Sequence, residues 1–154
     1  KMTAAKNFQS AMQMLRQIEF SLFDLLLHAD FDPQVPQSVQ DKLDEIRHEI
    51  AVLMPPKFNK FQNSFSHIFA GGYAAGYFSY KWAEVLSADA YSAFEEASIG
   101  KSIINTEVAS QFLDEVLSRG GSRDMMQSYK AFRGKAPTVD ALLHHNGIAT
   151  KEHD

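Results

Sequence analysis

The sequence predicts an all-α fold. Apolar residues recur at threes and fours over long segments, no alternating pattern of useful strand length occurs, and strong breakers such as Pro55-Pro56 and Gly120-Gly121 separate the helical runs. No internal repeat or low-complexity segment interrupts this pattern.

The first helix is expected from Thr3, its N-cap, to about His28. Phe8, Met12, Leu15, Ile18, Leu22, Leu25 and Leu26 form its stripe. Phe20, Phe23 and Leu27 widen that stripe, which predicts a second covered surface. A loop with Pro33 and Pro36 spans Phe31 to Gln37, and Ser38 then caps a helix from Val39 to about Met54. Leu43, Ile46, Ile50 and Leu53 face inward there, with Asp41 in the first turn. Pro55-Pro56 ends that helix, and a polar and aromatic connector, Lys57 to Ser64 with Phe58 and Phe61, follows.

A third helix is expected from about Gly72 or Tyr73 to Ala97, its first half apolar on nearly every side and therefore buried. Gly100 separates it from a fourth, roughly Thr106 to Ser118, with Val108, Phe112, Val116 and Leu117 inward. Arg119-Gly120-Gly121 stops that helix, and Ser122 starts a fifth that carries Met125, Met126 and Tyr129 to about Phe132. Gly134 and Pro137 close it. Thr138 caps a last helix, Val139 to His145, Asn146-Gly147 ends it, and Ala149 to Asp154 is expected to fray.

Composition narrows the function. The 154 residues, 45% of them hydrophobic, suit one domain with a sizeable core. A net charge of −4 argues against a nucleic-acid or anionic-membrane partner. No apolar run reaches bilayer-spanning length, and the start shows no charged-then-apolar signal pattern. The absence of cysteine excludes disulfides and thiolate metal sites and fits a reducing compartment.

The histidines stand at 28, 48, 67, 144, 145 and 153, and no two share the four-residue spacing that lets imidazoles on one helix meet a metal. His48-Glu49 lacks its partner, because the required position is Val52; a solvated helix face is the plainer reading. No serine sits on a strand-turn-helix elbow. Ala70-Gly71-Gly72 has neither a preceding strand nor the lysine-serine pair of a phosphate loop.

What remains is the stretch Ser64-Phe65-Ser66-His67-Ile68-Phe69-Ala70-Gly71-Gly72-Tyr73-Ala74-Ala75-Gly76-Tyr77-Phe78-Ser79-Tyr80-Lys81-Trp82. Each glycine weakens a helix by roughly 0.5–1 kcal/mol relative to alanine. Gly71, Gly72 and Gly76 therefore imply a sharp bend or a close approach before the helix. Tyr73, Tyr77 and Tyr80, spaced by four and three, would line one helix face. Such a row suits a polar ligand, and equally suits half-buried phenols bonded to backbone carbonyls.

The same stretch, continued to Tyr91, resembles the signature F-x-H-[IL]-x-G-G-Y-x-A-x-Y-[YF]-x-Y-x-W of the thimet oligopeptidase and oligopeptidase A family of zinc metallopeptidases. KNFQSAMQMLRQIEFSLFDLLLH upstream and RGGSRDMMQSYKAFRGKAPTVDALLHHNGI downstream extend the resemblance over nearly the whole chain, nearest to the bacterial oligopeptidase A branch. It implies that residues 1–154 are a single helical piece, the C-terminal portion of a zincin-like, mostly helical catalytic domain. The zinc-binding His-Glu-x-x-His helix would lie upstream, and the start at Lys1 without an initiator methionine fits an excised piece.

By resemblance, Tyr80 and Tyr73 would stabilise the oxyanion and hold substrate, with His67, Gly71, Gly72 and Tyr77 binding substrate. The distance from this histidine, His67, to the glycines differs by one residue between branches of the family, and Phe78 stands where many members have a second consecutive tyrosine. The resemblance further implies zinc in the full-length enzyme and none bound in this piece, short peptide substrates, a cytoplasmic setting, and the missing N-terminal part as partner. The piece alone is expected to be inactive and to self-associate through exposed apolar surface, with Phe20, Phe23, Leu27 and the connector as candidates. A stand-alone helical module that binds a peptide or protein in an aromatic groove is the alternative.

Overall fold

The computed structural model describes residues 1–35, 38–98 and 104–148, and every regular element among them is helical. The expected breaks at Pro36 and Gly100, the fraying of Ala149–Asp154 and His153 lie outside the described residues. Among those residues no helix is long and apolar enough to cross a membrane. The chain divides into two compact units, Lys1–Trp82 and Ala83–Asp154.

In the first unit the expected long helix is two, α1 (Met2–Lys6) and α2 (Ser10–Ala29). The break is at Gln9, which adopts a left-handed backbone with φ of 54°. Phe8 next to it is exposed, so no packing holds a helix through this point. Thr3 is inside α1 rather than its cap.

Helix α3 (Val39–Ile50) opens on the expected cap. The Ser38 hydroxyl accepts the Asp41 N–H at 3.1 Å, and the Asp41 carboxylate accepts the Ser38 N–H at 3.0 Å. The helix ends four residues short of Met54, with Ala51 extended, and Leu53 is exposed rather than inward. The prolines at 55 and 56 favour extended backbone ahead of them, and no apolar contact rewards another turn.

Phe23, Leu43, Ile46, Phe65 and Ile68 form the core of this unit, with Phe20, Leu22, Leu26, Leu27, Val39, Ile50, Phe61 and Tyr77 against it. Phe23 is fully buried, so the expectation that it faces missing chain is corrected. Phe20 and Leu27 are also partly covered, Phe20 by stacking on Phe61 at 4.6 Å. Exposed apolar surface lies at Phe58, in the connector as expected, and also at Phe8, Val52, Leu53 and Met54. One buried ion pair joins α2 to α3: Arg47 Nε donates to Glu19 Oε1 at 3.0 Å, and Arg16 donates to the same oxygen at 2.8 Å.

Short 3₁₀ turns, Phe61–Ser64 and Ser66–Ile68, lead to a run of turns over 70–78 before α4 (Ser79–Ala97). The third helix therefore begins at Ser79, not at Gly72 or Tyr73. Tyr80 and Trp82 in its first turn are exposed, as is Phe78 just before it, against the expectation of a buried first half.

In the second unit α5 (Thr106–Phe112) passes into a π turn, Leu113–Leu117, followed by α6 (Met125–Arg133) and α7 (Asp140–His145). Leu117 and Met125 are exposed, whereas Val108, Phe112, Val116 and Met126 are partly covered and Tyr129 and Phe132 are buried. Asp124, rather than Ser122, caps α6 through the Gln127 N–H, and Val139 takes the N-cap position of α7. The buried Asp89 accepts from the Tyr129 hydroxyl and from Arg133 Nε at 3.0 Å, with Lys135 Nζ at 3.2 Å. Arg133 also grips Glu96.

Candidate active-site segment

The candidate residues all lie in the first unit, on the turns between Ser66 and α4 and, for Tyr80, in the first turn of α4. The Ser66 carbonyl accepts the N–H groups of Phe69, Ala70 and Gly71 at 3.1, 2.9 and 2.9 Å, winding the chain tightly after His67. Gly71 is required here by space. A Cβ at that position would lie 2.7 Å from the His67 carbonyl oxygen and 2.8 Å from its Cα. Gly72 is required by conformation, with φ of +79° and open space where a Cβ would be.

The chain then turns through Tyr73, whose carbonyl accepts the Gly76 N–H at 2.8 Å, and through Ala75, which is left-handed with φ of 55°. A non-glycine residue there is strained. Asp24, fully buried on α2, holds the strained turn: its Oδ1 accepts the Ala75 N–H at 2.8 Å and its Oδ2 the Tyr77 N–H at 2.8 Å. The His28 ring approaches through Nδ1, at 3.0 Å from Oδ1 and 2.8 Å from the Asp24 carbonyl oxygen. Both neighbours are acceptors, so Nδ1 carries the proton.

These turns bring the four rings together. His67 meets Tyr73, Tyr77 and Tyr80 edge-on at 5.4, 5.9 and 6.0 Å, and Tyr73 stacks on Tyr80 at 4.9 Å. The spacing suggested one helix face, but only Tyr80 is helical; the phenols converge because the chain folds back at 72–76. The hydroxyls differ in their engagements. Tyr77 donates to Gln17 Oε1 at 2.9 Å, and burial pushes its phenol up, against a smaller opposing pull from Arg16.

Tyr80 is 39% exposed, and its hydroxyl lies 3.5 Å from His67 Nε2. A hydrogen bond with Tyr73 is the main cause that pushes its phenol up to about 12, with desolvation and the neighbouring phenols adding to it. It is therefore a neutral O–H donor throughout the physiological range.

Sequence reasoning missed Asp24 and Gln17. Asp24 left a signal, a lone carboxylate inside the apolar run Phe23-Asp24-Leu25-Leu26-Leu27. Gln17 left none, because a polar residue on a helix flank is ordinary. His48 and Glu49 are exposed on α3.

The cluster supplies hydroxyl donors, an imidazole and an open backbone turn, but no metal ligand set. Among the described residues no group of three His, Cys, Asp or Glu is placed to hold a metal ion. The described residues thus do not fit a zinc site.

The segment thus gathers three phenols and an imidazole beside a Gly-Gly turn. A sequence profile of peptidase family M3 matches residues 1–148, and the chain belongs to that family. It is 53% identical over 148 residues to oligopeptidase A of Salmonella typhimurium and to that of Escherichia coli, covering 96% of this chain and 21% of each relative. It is 43% identical over 148 residues to the organellar oligopeptidase A of Arabidopsis thaliana, covering 96% of this chain and 19% of that protein. The chain thus spans about a fifth of the length of these relatives.

Proposed function

We propose that this chain is the C-terminal segment of a cytoplasmic, zinc-dependent oligopeptidase acting on short peptides. In this reading it contributes oxyanion-stabilising and substrate-binding groups while the remainder of the enzyme holds the metal. Family membership favours it over a stand-alone binding module. The observation that carries it is the half-exposed Tyr80 hydroxyl, 3.5 Å from His67 Nε2, on a ring stacked against Tyr73 at 4.9 Å.

When water adds to a peptide carbonyl, negative charge grows on the carbonyl oxygen. A neutral phenol aimed at that oxygen stabilises it more than it stabilises the bound peptide. Hydroxyl protons rotate freely. Tyr73 can therefore turn to donate to Tyr80 while Tyr80 donates to the oxyanion, and a chained donor of this kind is stronger than a single one. His67 adds a second polar group beside the same oxygen. Gly71 and Gly72, without side chains, leave backbone open for an extended peptide to approach. Tyr77, tied to Gln17, acts chiefly by packing against the other rings, and its edge is the part left to meet substrate.

The test is Tyr80→Phe in the full-length enzyme. The ring and its stacking survive, so kcat should fall on the order of 10²-fold with KM within a few-fold and Tm unchanged. A drop in stability of about 1 kcal/mol with kcat intact would instead assign Tyr80 to packing.

A further inference from the structure

We infer that Asp24 is a positioning residue for peptide hydrolysis: it holds the 73–80 turn in the one conformation that brings Tyr73 and Tyr80 together. This rests on the peptidase reading above. Asp24 sits in the middle of α2, about fifty residues from the turn in sequence, fully buried and adjacent to the core residue Phe23. A buried carboxylate is unfavourable unless its oxygens are satisfied. Here both oxygens are used on one short segment, with the Ala75 N–H on Oδ1 and the Tyr77 N–H on Oδ2, each at 2.8 Å.

The two amides it takes are those that point away from the turn's own ladder. Neighbouring amides are satisfied locally at Gly76 on the Tyr73 carbonyl at 2.8 Å, Ser79 on Gly76 at 3.1 Å and Tyr80 on Tyr77 at 3.3 Å. Tyr73, Tyr77 and Tyr80 are thus strung on consecutive turns whose outward amides converge on one carboxylate. Ala75, between the two contacts, carries the left-handed φ of 55°. An alanine relaxes out of that region unless something holds it. Release would unwind the turn or extend α4 backwards through Tyr77, as the helical spacing of the tyrosines favours. The Tyr73–Tyr80 stack, which depends on the reversal, would then open.

Asp24 touches no substrate in this scheme and acts through the backbone. A carboxamide at this position accepts only one of the two amides and turns an N–H toward the other. In the full-length enzyme Asp24→Asn should lower kcat on the order of 10²-fold, as displacement of reacting groups by about 1 Å does, with KM within a few-fold. Hydrogen exchange in the 73–80 peptide should rise at least tenfold. Adding Ala75→Gly removes the conformational penalty that the carboxylate opposed, and the double variant should recover kcat by about tenfold over Asp24→Asn.

Asp24→Asn could cost the fold itself, so Ala75→Val is the second variant. It leaves the buried carboxylate intact, adds its bulk at an exposed position, and opposes the left-handed turn. It should lower kcat about tenfold and speed exchange over the same residues. Unchanged kcat in both variants, a kcat loss without faster 73–80 exchange, or no recovery from Ala75→Gly would each overturn the inference. Wild-type enzyme without peptidase activity would refute the peptidase reading and this role with it. The exchange data would still report whether Asp24 holds the turn.

Discussion

Substitution of Gly71 by alanine should destabilise the first unit more than the same change at Gly72, although only Gly72 has a positive φ. An added Cβ at Gly71 meets the His67 carbonyl oxygen at 2.7 Å, and ordinary contact needs 3.4 Å, so the backbone must part by about 0.7 Å. That carbonyl accepts the Tyr73 N–H at 3.2 Å, while the Gly71 N–H donates to Ser66 at 2.9 Å. A shift of this size breaks at least one of the two. One lost hydrogen bond costs about 1 kcal/mol and forced overpacking about 1–3 kcal/mol, giving about 2–4 kcal/mol. At Gly72 nothing lies within 4 Å, and the cost is the left-handed penalty alone, about 1–2 kcal/mol.

Trp82 is the one tryptophan and the last residue of this unit, so its fluorescence follows urea unfolding at the start of α4. With a slope of about 2 kcal/mol/M, the midpoint should fall by about 1–2 M for Gly71→Ala and about 0.5–1 M for Gly72→Ala. Equal shifts, or a larger one at Gly72, would show that the close approach to His67 is not what the first glycine serves.

Other consequences can be measured on the same material. In a ¹³C-tyrosine titration one phenol of the cluster should ionise near pH 12, and Tyr80→Phe should abolish that transition; a cluster titrating entirely near 10 contradicts the Tyr73–Tyr80 bond. Burial alone would raise the Asp89 carboxyl, but hydrogen bonds from Arg133, Tyr129 and Lys135 outweigh it and hold it at about 2. A depressed carboxyl contributes stability present above its unfolded value of about 4 and lost as pH falls through about 2. Asp89→Asn should therefore flatten the acid dependence of the second unit in that window, and circular dichroism curves of identical shape would exclude the effect. Ser38→Ala removes the cap of α3 and should cost about 1 kcal/mol in thermal or urea unfolding. The 154-residue chain alone should hydrolyse no peptide, and chelator-sensitive activity in a clean sample would count against the division of labour proposed above.

The helical class, most helix ends and the Ser38 cap could be read from the sequence because their causes are local. A serine three residues before an aspartate, or Asn146-Gly147 after His145, acts within one turn of itself. The start of α4 could not be read in this way. Its tyrosine spacing favours helix back to Tyr73, and the opposing cause, the Asp24 carboxylate, is about fifty residues away. The error at Phe23 has a similar origin. A wide apolar stripe shows that a second surface is covered but not by what, and Phe65 and Ile68 from the chain's own turns join Phe23 in the core. The gathering of the tyrosines was anticipated on a helix face, yet the turn that achieves it depends on an unfavourable alanine conformation invisible to propensity.

The Glu19–Arg47 pair acquires a meaning beyond cohesion. Replacing both partners of a buried ion pair by apolar residues is often neutral or stabilising, so strength alone does not account for it. What it does fix is longitudinal alignment. Glu19 and Asp24 are five residues apart on the same rigid helix, and a slip of α2 by one turn, about 5.4 Å, would separate Glu19 from Arg47 while sliding Asp24 past the amides of Ala75 and Tyr77. The two acidic residues thus behave as the two teeth of one key. A slip of this size would leave a buried charge and the two amides of Ala75 and Tyr77 without these partners at once.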